Sequence, residues 1–273
     1  MITFPNAKIN LGLSVVAKRP DGYHNLETVF YPVGIKDALE VIERPEPGCT
    51  LHISGIPVTD NQDDNLVVKA YRKLAERYPL KGVDIYLHKY IPFGAGMGGG
   101  SADAAFMLRL LNDQFELNIP GSELEAIAAE LGADCPFFCR NRPVFAAGTG
   151  NLFSEVSFSL KGYFLVVVKP EVSVSTKDAF GGIVPCKPLF AVKEIVETKP
   201  VNEWKEYLVN DFERTVFSIY PQLGTIKAKL YEAGSVYASM SGSGSSLFGI
   251  FDHEPDVAAL FPGCFVWTGA CEY

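Results

Sequence analysis

Five glycines fall inside seven positions at Gly94, Gly96, Gly98, Gly99 and Gly100. They sit in Pro92-Phe93-Gly94-Ala95-Gly96-Met97-Gly98-Gly99-Gly100-Ser101-Ala102-Asp103-Ala104-Ala105. Upstream, Val83 to Lys89 alternates apolar and polar residues, the pattern of a half-buried strand. Downstream, Ser101 to Asn112 is rich in Ala, Leu and Met, which favour helix. The order is therefore strand, glycine loop, helix. Such a loop presents bare backbone N–H groups at the positive end of a helix dipole, where phosphate binds. Glycine also permits φ > 0 and close approach of a ligand to the backbone. The plain alternative is a mobile loop or a tight strand-to-helix turn, but a turn needs fewer glycines. A Walker A loop is excluded, because no Lys-Ser or Lys-Thr closes the stretch. Gly94, Gly96 and Gly99 spell G-x-G-x-x-G, yet no βαβ unit with a suitably placed acidic residue supports a dinucleotide fold.

The chain has 273 residues, enough for one large or two modest domains. Its net charge of −8 argues against nucleic-acid or anionic-membrane partners, which require basic surface. An anionic small molecule remains compatible with a locally positive pocket. No leader pattern opens the sequence, and no run approaches the roughly 18 apolar residues of a spanning helix. The six cysteines form no C-x-x-C pair, so reduced, mostly buried thiols in a cytoplasmic protein are expected. The four histidines show no zinc-ligand spacing, and no protein-built metal site is expected.

Taken in order, Asn6 to Ser14 reads as a strand with Lys8 and Asn10 on its polar face. That face is either functional or simply solvated. Pro20-Asp21-Gly22 then makes a turn bordered by Lys18, Arg19, Tyr23, His24 and Asn25, which suits a phosphorylated or heteroaromatic ligand as well as a plain hairpin. Strands are predicted over Asp37–Glu43 and Thr50–Ile53. Asp60 to Asn65 supplies several candidate caps for a helix over Leu66–Arg77. Ser122 with Glu125 reads as a capping box for a helix that stops at Gly132. Pro136 fits the first turn of another helix, for which Asp134 is either a cap or a carboxylate aimed at a reacting hydroxyl. Cys135 and Cys139, four apart, are expected on one buried helical face. Tyr163–Lys169 opens a second half as an apolar strand. Ser173–Pro188 is polar and broken by Gly and Pro. Helices follow near Val201–Leu208, Asn210–Phe217 and Pro221–Glu232, and a second small-residue loop, Ser241-Gly242-Ser243-Gly244, joins two strand-like runs.

Two glycine-rich loops, a Lys on an N-terminal strand and an Asp after a helix together resemble the GHMP kinase superfamily. Pro92–Ala105 is similar to its central phosphate motif, with Met97 where Leu is commoner and Ala102 where Ser is common. Ser241–Gly244 is similar to its C-terminal motif. The resemblance implies an α+β, two-domain fold with the active site in the cleft between domains. Residues 1–155 would form the N-terminal domain, with glycine loop 92–103, and residues 156–273 the C-terminal domain. Pro5 to Leu11, Arg19 to His24, Gly132 to Phe137 and Asn210 to Glu213 resemble a branch of that family acting on a cytidine diphosphate ester of methylerythritol, in the non-mevalonate isoprenoid pathway.

That resemblance implies ATP-dependent phosphorylation of a substrate hydroxyl, with ATP and Mg²⁺ as cofactors and a monomer or homodimer as the working form. By the same resemblance Asp134 is the base or orienting group, Lys8 the charge stabiliser, and Asn10 a substrate ligand. Tyr23 and His24 would take the cytosine, with Phe180 on its other face. Asn65, Leu66 and Lys89 would line the adenine pocket. Pro92, Gly94, Ala95, Gly96, Met97, Gly98, Gly99, Gly100, Ser101 and Ala102 would form the phosphate loop. The rival readings are another kinase of the superfamily, acting on mevalonate derivatives, homoserine or a sugar, and a nucleotide-binding module without catalysis. The Tyr23-His24 turn speaks against the first and the pairing of Lys8 with Asp134 against the second.

Overall fold

The computed structural model describes residues 1–57 and 62–273; Asp60 and Asn61, read above as possible caps, lie outside them. In chain order the strands are β1 (Ile2–Thr3), β2 (Asn6–Lys18), β3 (His24–Lys36), β4 (Ala38–Arg44), β5 (Cys49–Gly55), β6 (Gly82–Lys89), β7 (Val144–Ala147), β8 (Leu152–Ser154), β9 (Phe164–Lys169), β10 (Tyr237–Met240), β11 (Leu247–Phe251) and β12 (Phe265–Ala270). The helices are α1 (Leu66–Ala75), α2 (Gly99–Gln114), α3 (Gly121–Leu131), α4 (Cys135–Arg140), α5 (Thr176–Gly181), α6 (Val192–Thr198), α7 (Trp204–Tyr207), α8 (Phe212–Ile219) and α9 (Pro221–Glu232). The chain is α+β, as expected, and separates into two compact units.

One unit holds residues 1–7, 35–93 and 98–141. Its sheet runs β1-β4-β6-β5, with β5 and β6 parallel and the other neighbours antiparallel. A parallel pair needs a crossover, and α1 lies on the connection between β5 and β6. Val83, Ile85 and Leu87 of β6 are buried while Tyr86 and His88 are exposed, so the alternation read from the sequence holds. Lys89 continues the buried face of that strand. Helix α2 is buried on nearly all sides and touches α1, α3 and α4, which makes it the central helix of this unit.

The Ser122–Glu125 capping box does not form. Helix α3 begins earlier, at Gly121 behind Pro120, and has no side-chain cap. Glu125 instead receives Arg140 Nε at 3.0 Å and Nη2 at 2.8 Å, so a stronger bidentate ion pair takes the carboxylate. The helix does stop at Gly132, which is extended rather than left-handed.

The other unit holds residues 8–34, 94–97 and 142–273. It contains two sheets, ordered β2-β3-β7-β8 and β10-β11-β9-β12. Leu13, Val15, Val166, Val168, Phe212, Val216, Leu230 and Phe251 are among the residues of its core. A linear division at 155/156 therefore differs from the compact units, which interleave. The cause is strand pairing: β3 binds β7, with Thr28 opposite Ala146, and so folds with chain more than a hundred residues downstream. Two features exceed the sequence reading. The turn at Pro20–Gly22 leads into a strand of 13 residues, and 173–188 contains α5.

All six cysteines are free. Cys135 and Cys271 are buried, but Cys186 is exposed and the other three are half-buried, so burial is less general than expected. Cys139 is only half-buried although it shares a helix with Cys135. No helix among the described residues is long and apolar enough to cross a membrane.

Candidate active site

Helix α2 is the base of the candidate site in the first unit. Its N-cap is Gly98, left-handed at φ 71°, with no side chain closing the helix end. The first N–H groups of a helix have no partner within it, and here Gly99 and Gly100 carry two of them without a side chain. Gly99 leaves no free room for a side chain: a Cβ would lie 2.9 Å from Ile91 Cγ2 and force that side chain to shift. Gly100 approaches Leu66, at 3.7 Å from where its Cβ would stand. Asn65 caps α1, its Oδ1 accepting from Val67 N at 3.0 Å. Asn65 and Leu66 thus flank the start of α1 and share a unit with the α2 N-terminus.

Lys89, expected beside the adenine, is buried and its ammonium is engaged by two buried carboxylates, Asp37 and Asp103. Burial alone would lower its pKa, and the two carboxylates more than reverse that. Asp37 Oδ1 also accepts from Tyr90 N at 2.6 Å and Ile91 N at 2.8 Å, which pins the strand end where the glycine stretch begins. Asp37 and Asp103 went unnoticed in the sequence. The available signal was Lys89 itself, which shares the face of Val83, Ile85 and Leu87 and so must bury its charge against an acid.

Asp134 occupies the N-cap position of α4 but makes no capping hydrogen bond. The simple capping role considered above is therefore not what holds it. Cys135 beside it is fully buried, and burial pushes its thiol up to about 11, with Ser101 as its hydrogen-bonding neighbour. Ser101, the hydroxyl at the start of α2, thus abuts the Gly132–Cys135 turn; Cys135 Sγ stands 3.2 Å from where a Gly132 Cβ would be.

In the second unit, Lys8 and Asn10 are buried, at 4% and 2% exposure, so their face of β2 is not a solvated one. Lys8 Nζ donates to Asn10 Oδ1 at 2.8 Å and lies 4.8 Å from the Phe30 ring centre. Asn10 Nδ2 donates to Thr28 Oγ1 at 3.0 Å, and Thr28 Oγ1 to Gly12 O at 2.5 Å. This chain holds the Lys8 side chain in a defined place.

Gly94, Ala95, Gly96 and Met97 belong to this unit as well. Lys8 N donates to Met97 O at 3.0 Å, which ties the loop to β2. Ser241 Oγ donates to Gly96 O at 2.9 Å and Ser246 N to Ala95 O at 3.2 Å, so the two glycine loops lie back to back. Gly96 is left-handed at φ 71°, and a Cβ there would stand 2.1 Å from Ser241 O. Gly242 and Gly244 are left-handed too, and Ser243 lies between them. The hairpin β10–β11 anticipated around this loop is present.

Tyr23 is 66% exposed at the end of the Pro20–Gly22 turn. Asp21 shapes that turn: it accepts from Tyr23 N at 3.1 Å and binds the Arg19 guanidinium, which holds its carboxyl below the usual range. His24 stacks on Phe180 at 4.8 Å between ring centres, and Phe180 meets Phe212 edge-on at 4.7 Å. Phe180 and His24 are therefore brought together face to face, with Tyr23 next in the chain. Pro92 and Ala102 flank the glycines, Ala102 fully buried inside α2.

The family described as GHMP kinases N terminal domain matches residues 65–142, and GHMP kinases C terminal matches 191–261. A 4-diphosphocytidyl-2-C-methyl-D-erythritol kinase of Bacteroides thetaiotaomicron is 58% identical over 256 residues, covering 93% of each chain. One from Parabacteroides distasonis is 56% identical over 98% of this chain and 99% of its own. A crystal structure of 4-(cytidine 5'-diphospho)-2C-methyl-D-erythritol kinase superposes with a TM-score of 0.83 at 32% identity, over 98% of both chains. A mevalonate kinase crystal structure shares the fold, with a TM-score of 0.76 at 11% identity. The chain belongs to the GHMP kinases, in the family of the 4-diphosphocytidyl-2-C-methyl-D-erythritol kinases.

Proposed function

We propose that the protein transfers the γ-phosphoryl group of ATP to the 2-hydroxyl of 4-diphosphocytidyl-2-C-methyl-D-erythritol, in the non-mevalonate route to isoprenoid precursors. The observation that carries this reading is the 58% identity over 93% of both chains, in a sequence that has both glycine loops, Lys8, Asp134 and the Tyr23-His24 turn. The same reading makes it a cytoplasmic enzyme of small-molecule substrates, working as a monomer or homodimer.

Phosphoryl transfer is chiefly positioning and charge stabilisation. In this reading the left-handed glycines and the uncapped start of α2 bind the ATP phosphates through backbone N–H groups. Asn65 and Leu66 take the adenine. Asp134 accepts the proton of the attacking hydroxyl or orients it. Lys8, held by Asn10, neutralises charge that develops on the transferring oxygens. Asn10 also orients the substrate, and Tyr23, His24 and Phe180 receive the cytosine ring. No cluster of three or more His, Cys, Asp or Glu among the described residues could hold a metal ion. Mg²⁺ would be carried largely on phosphate oxygens and water, and the Ser101 hydroxyl is the side chain that would hold it from the protein. When bound, Mg²⁺ supplies charge neutralisation at the phosphates.

An ATP-consumption assay tests the reading against a panel of the cytidyl methylerythritol ester, mevalonate, phosphomevalonate, homoserine and galactose. Turnover confined to the first is expected. Turnover of any other as the preferred substrate, or of none, would overturn it.

A further inference from the structure

Asn210 is buried, with 3% of its surface exposed, and its carboxamide is fully used. Nδ2 donates to Met240 O and to Gly242 O, both at 2.8 Å, and Oδ1 accepts from Phe212 N at 3.0 Å. Two carbonyl oxygens call for an –NH₂ and a backbone N–H calls for an oxygen, so among side chains of this size only asparagine answers all three. The two carbonyls flank Ser241. That residue donates through its N–H to Ser246 O at 2.9 Å and through Oγ to Gly96 O at 2.9 Å. Gly242 in turn lies against Asn10, whose Oδ1 is 3.5 Å from where a Gly242 Cβ would stand.

The chain around Asn210 is fastened on its other side to β2. Leu13 N donates to Val209 O at 2.9 Å, Asp211 N to Leu13 O at 2.8 Å, and Val15 N to Asp211 Oδ2 at 2.7 Å. Strand β2 carries Lys8 and Asn10. Glu213 completes the arrangement, accepting from Met240 N at 2.8 Å and Ser239 Oγ at 2.9 Å. Segment 209–213 thus joins the strand bearing Lys8 to the loop that backs the phosphate loop.

We propose that Asn210 is a positioning residue of the phosphate site: its carboxamide sets the 240–242 turn, and through Ser241 the Gly94–Met97 loop, in register with Lys8 and Asn10. It touches neither ATP nor the acceptor. The proposal rests on the kinase reading above for its kinetic consequence, and on hydrogen bonds alone for its structural one.

The test uses the full chain with Asn210→Asp and Asn210→Ala. In Asn210→Asp an ionised carboxylate faces two carbonyl oxygens, and only its protonated form can donate to one of them. Activity relative to wild type should therefore rise about fivefold or more from pH 8.5 to pH 6.0. Asn210→Ala adds no charge: its ratio to wild type should not vary with pH, the KM for ATP should rise about fivefold to tenfold, and the KM for the cytidyl ester should stay within about twofold. In the protein without ligands, amide exchange at Ser241 and Ser246 should quicken about tenfold in Asn210→Ala, with β11 unchanged. A pH-independent Asp ratio, equal rises in both KM values, or unchanged exchange at Ser241 and Ser246 would each overturn the proposal. If Asn210→Asp does not fold at pH 8.5, the alanine kinetics and the exchange rates decide. If wild type does not phosphorylate the cytidyl ester, the kinase reading fails, while the exchange measurement still judges Asn210.

Discussion

The Lys89 ammonium donates to Asp103 Oδ2 at 2.6 Å, while Oδ1 of the same carboxylate is buried with no hydrogen-bond partner among the described residues. Asp37 faces the same ammonium and is better served, with two backbone N–H donors besides. One cation between two buried acids leaves an excess negative charge, and the proton settles on the poorer-solvated acid. Burial first, then the Asp37 charge, pushes the Asp103 carboxyl up to about 7.

This relationship predicts a pH dependence. Between the ordinary carboxylate value of 3.8 and about 7, the folded protein holds a proton on Asp103 that the unfolded chain releases. Native protein binds more protons there, so this contribution is fully present below 3.8 and is lost as pH rises through about 7. Asp103→Asn removes the titration. Its urea midpoint, relative to wild type, should improve from pH 5 to about pH 7 and then level off; parallel curves for the two proteins would refute a shifted Asp103.

Asp134→Asn keeps the shape of the side chain and removes the proton acceptor. Turnover should fall at least about 100-fold with little change in either KM. Steady-state kinetics with both substrates varied checks this. Near wild-type turnover would remove Asp134 from the role of base.

Tyr23→Ala should raise the KM for the cytidyl ester about tenfold and leave that for ATP unchanged, because stacking is lost at one substrate alone. Tyr23 is largely exposed, so the thermal midpoint should not move. Equal weakening of both ligands in titration would show that Tyr23 shapes the turn rather than meeting the base.

Gly96→Ala combines a left-handed φ with a Cβ 2.1 Å from a backbone oxygen of the opposing loop. The conformation alone costs about 1–2 kcal/mol, and the clash must also push the two loops apart. A lower melting midpoint together with weaker ATP binding is expected from scanning calorimetry and titration. An unaltered ATP affinity would mean that the loop-to-loop contact is irrelevant to phosphate binding.

Local chemistry made much of this legible. The strand–glycine–helix order at 82–114 follows from period-two alternation, a run without side chains, and good helix formers in sequence. The β10–β11 hairpin and the helix stop at Gly132 follow from equally local cues. Where a local cue met a distant competitor, the distant one won. Ser122 and Glu125 have capping-box spacing, but Arg140 takes the carboxylate and Pro120 starts the helix early. Nor does a sequence show that Lys89 meets Asp37, which the pairing of β4 with β6 brings beside it.

The sequence by itself determined that a run of glycines opens a helix, and by its motifs that the chain belongs among the GHMP kinases. Tertiary structure decided how that loop is held. Gly96 against Ser241 spans 145 positions, and β2 folds with chain far downstream rather than with the glycine helix. Asn210 meets Met240 and Gly242 across 30 and 32 positions. Periodicity and turn chemistry act over a few residues, whereas these hydrogen bonds exist only once two sheets have brought remote backbone together.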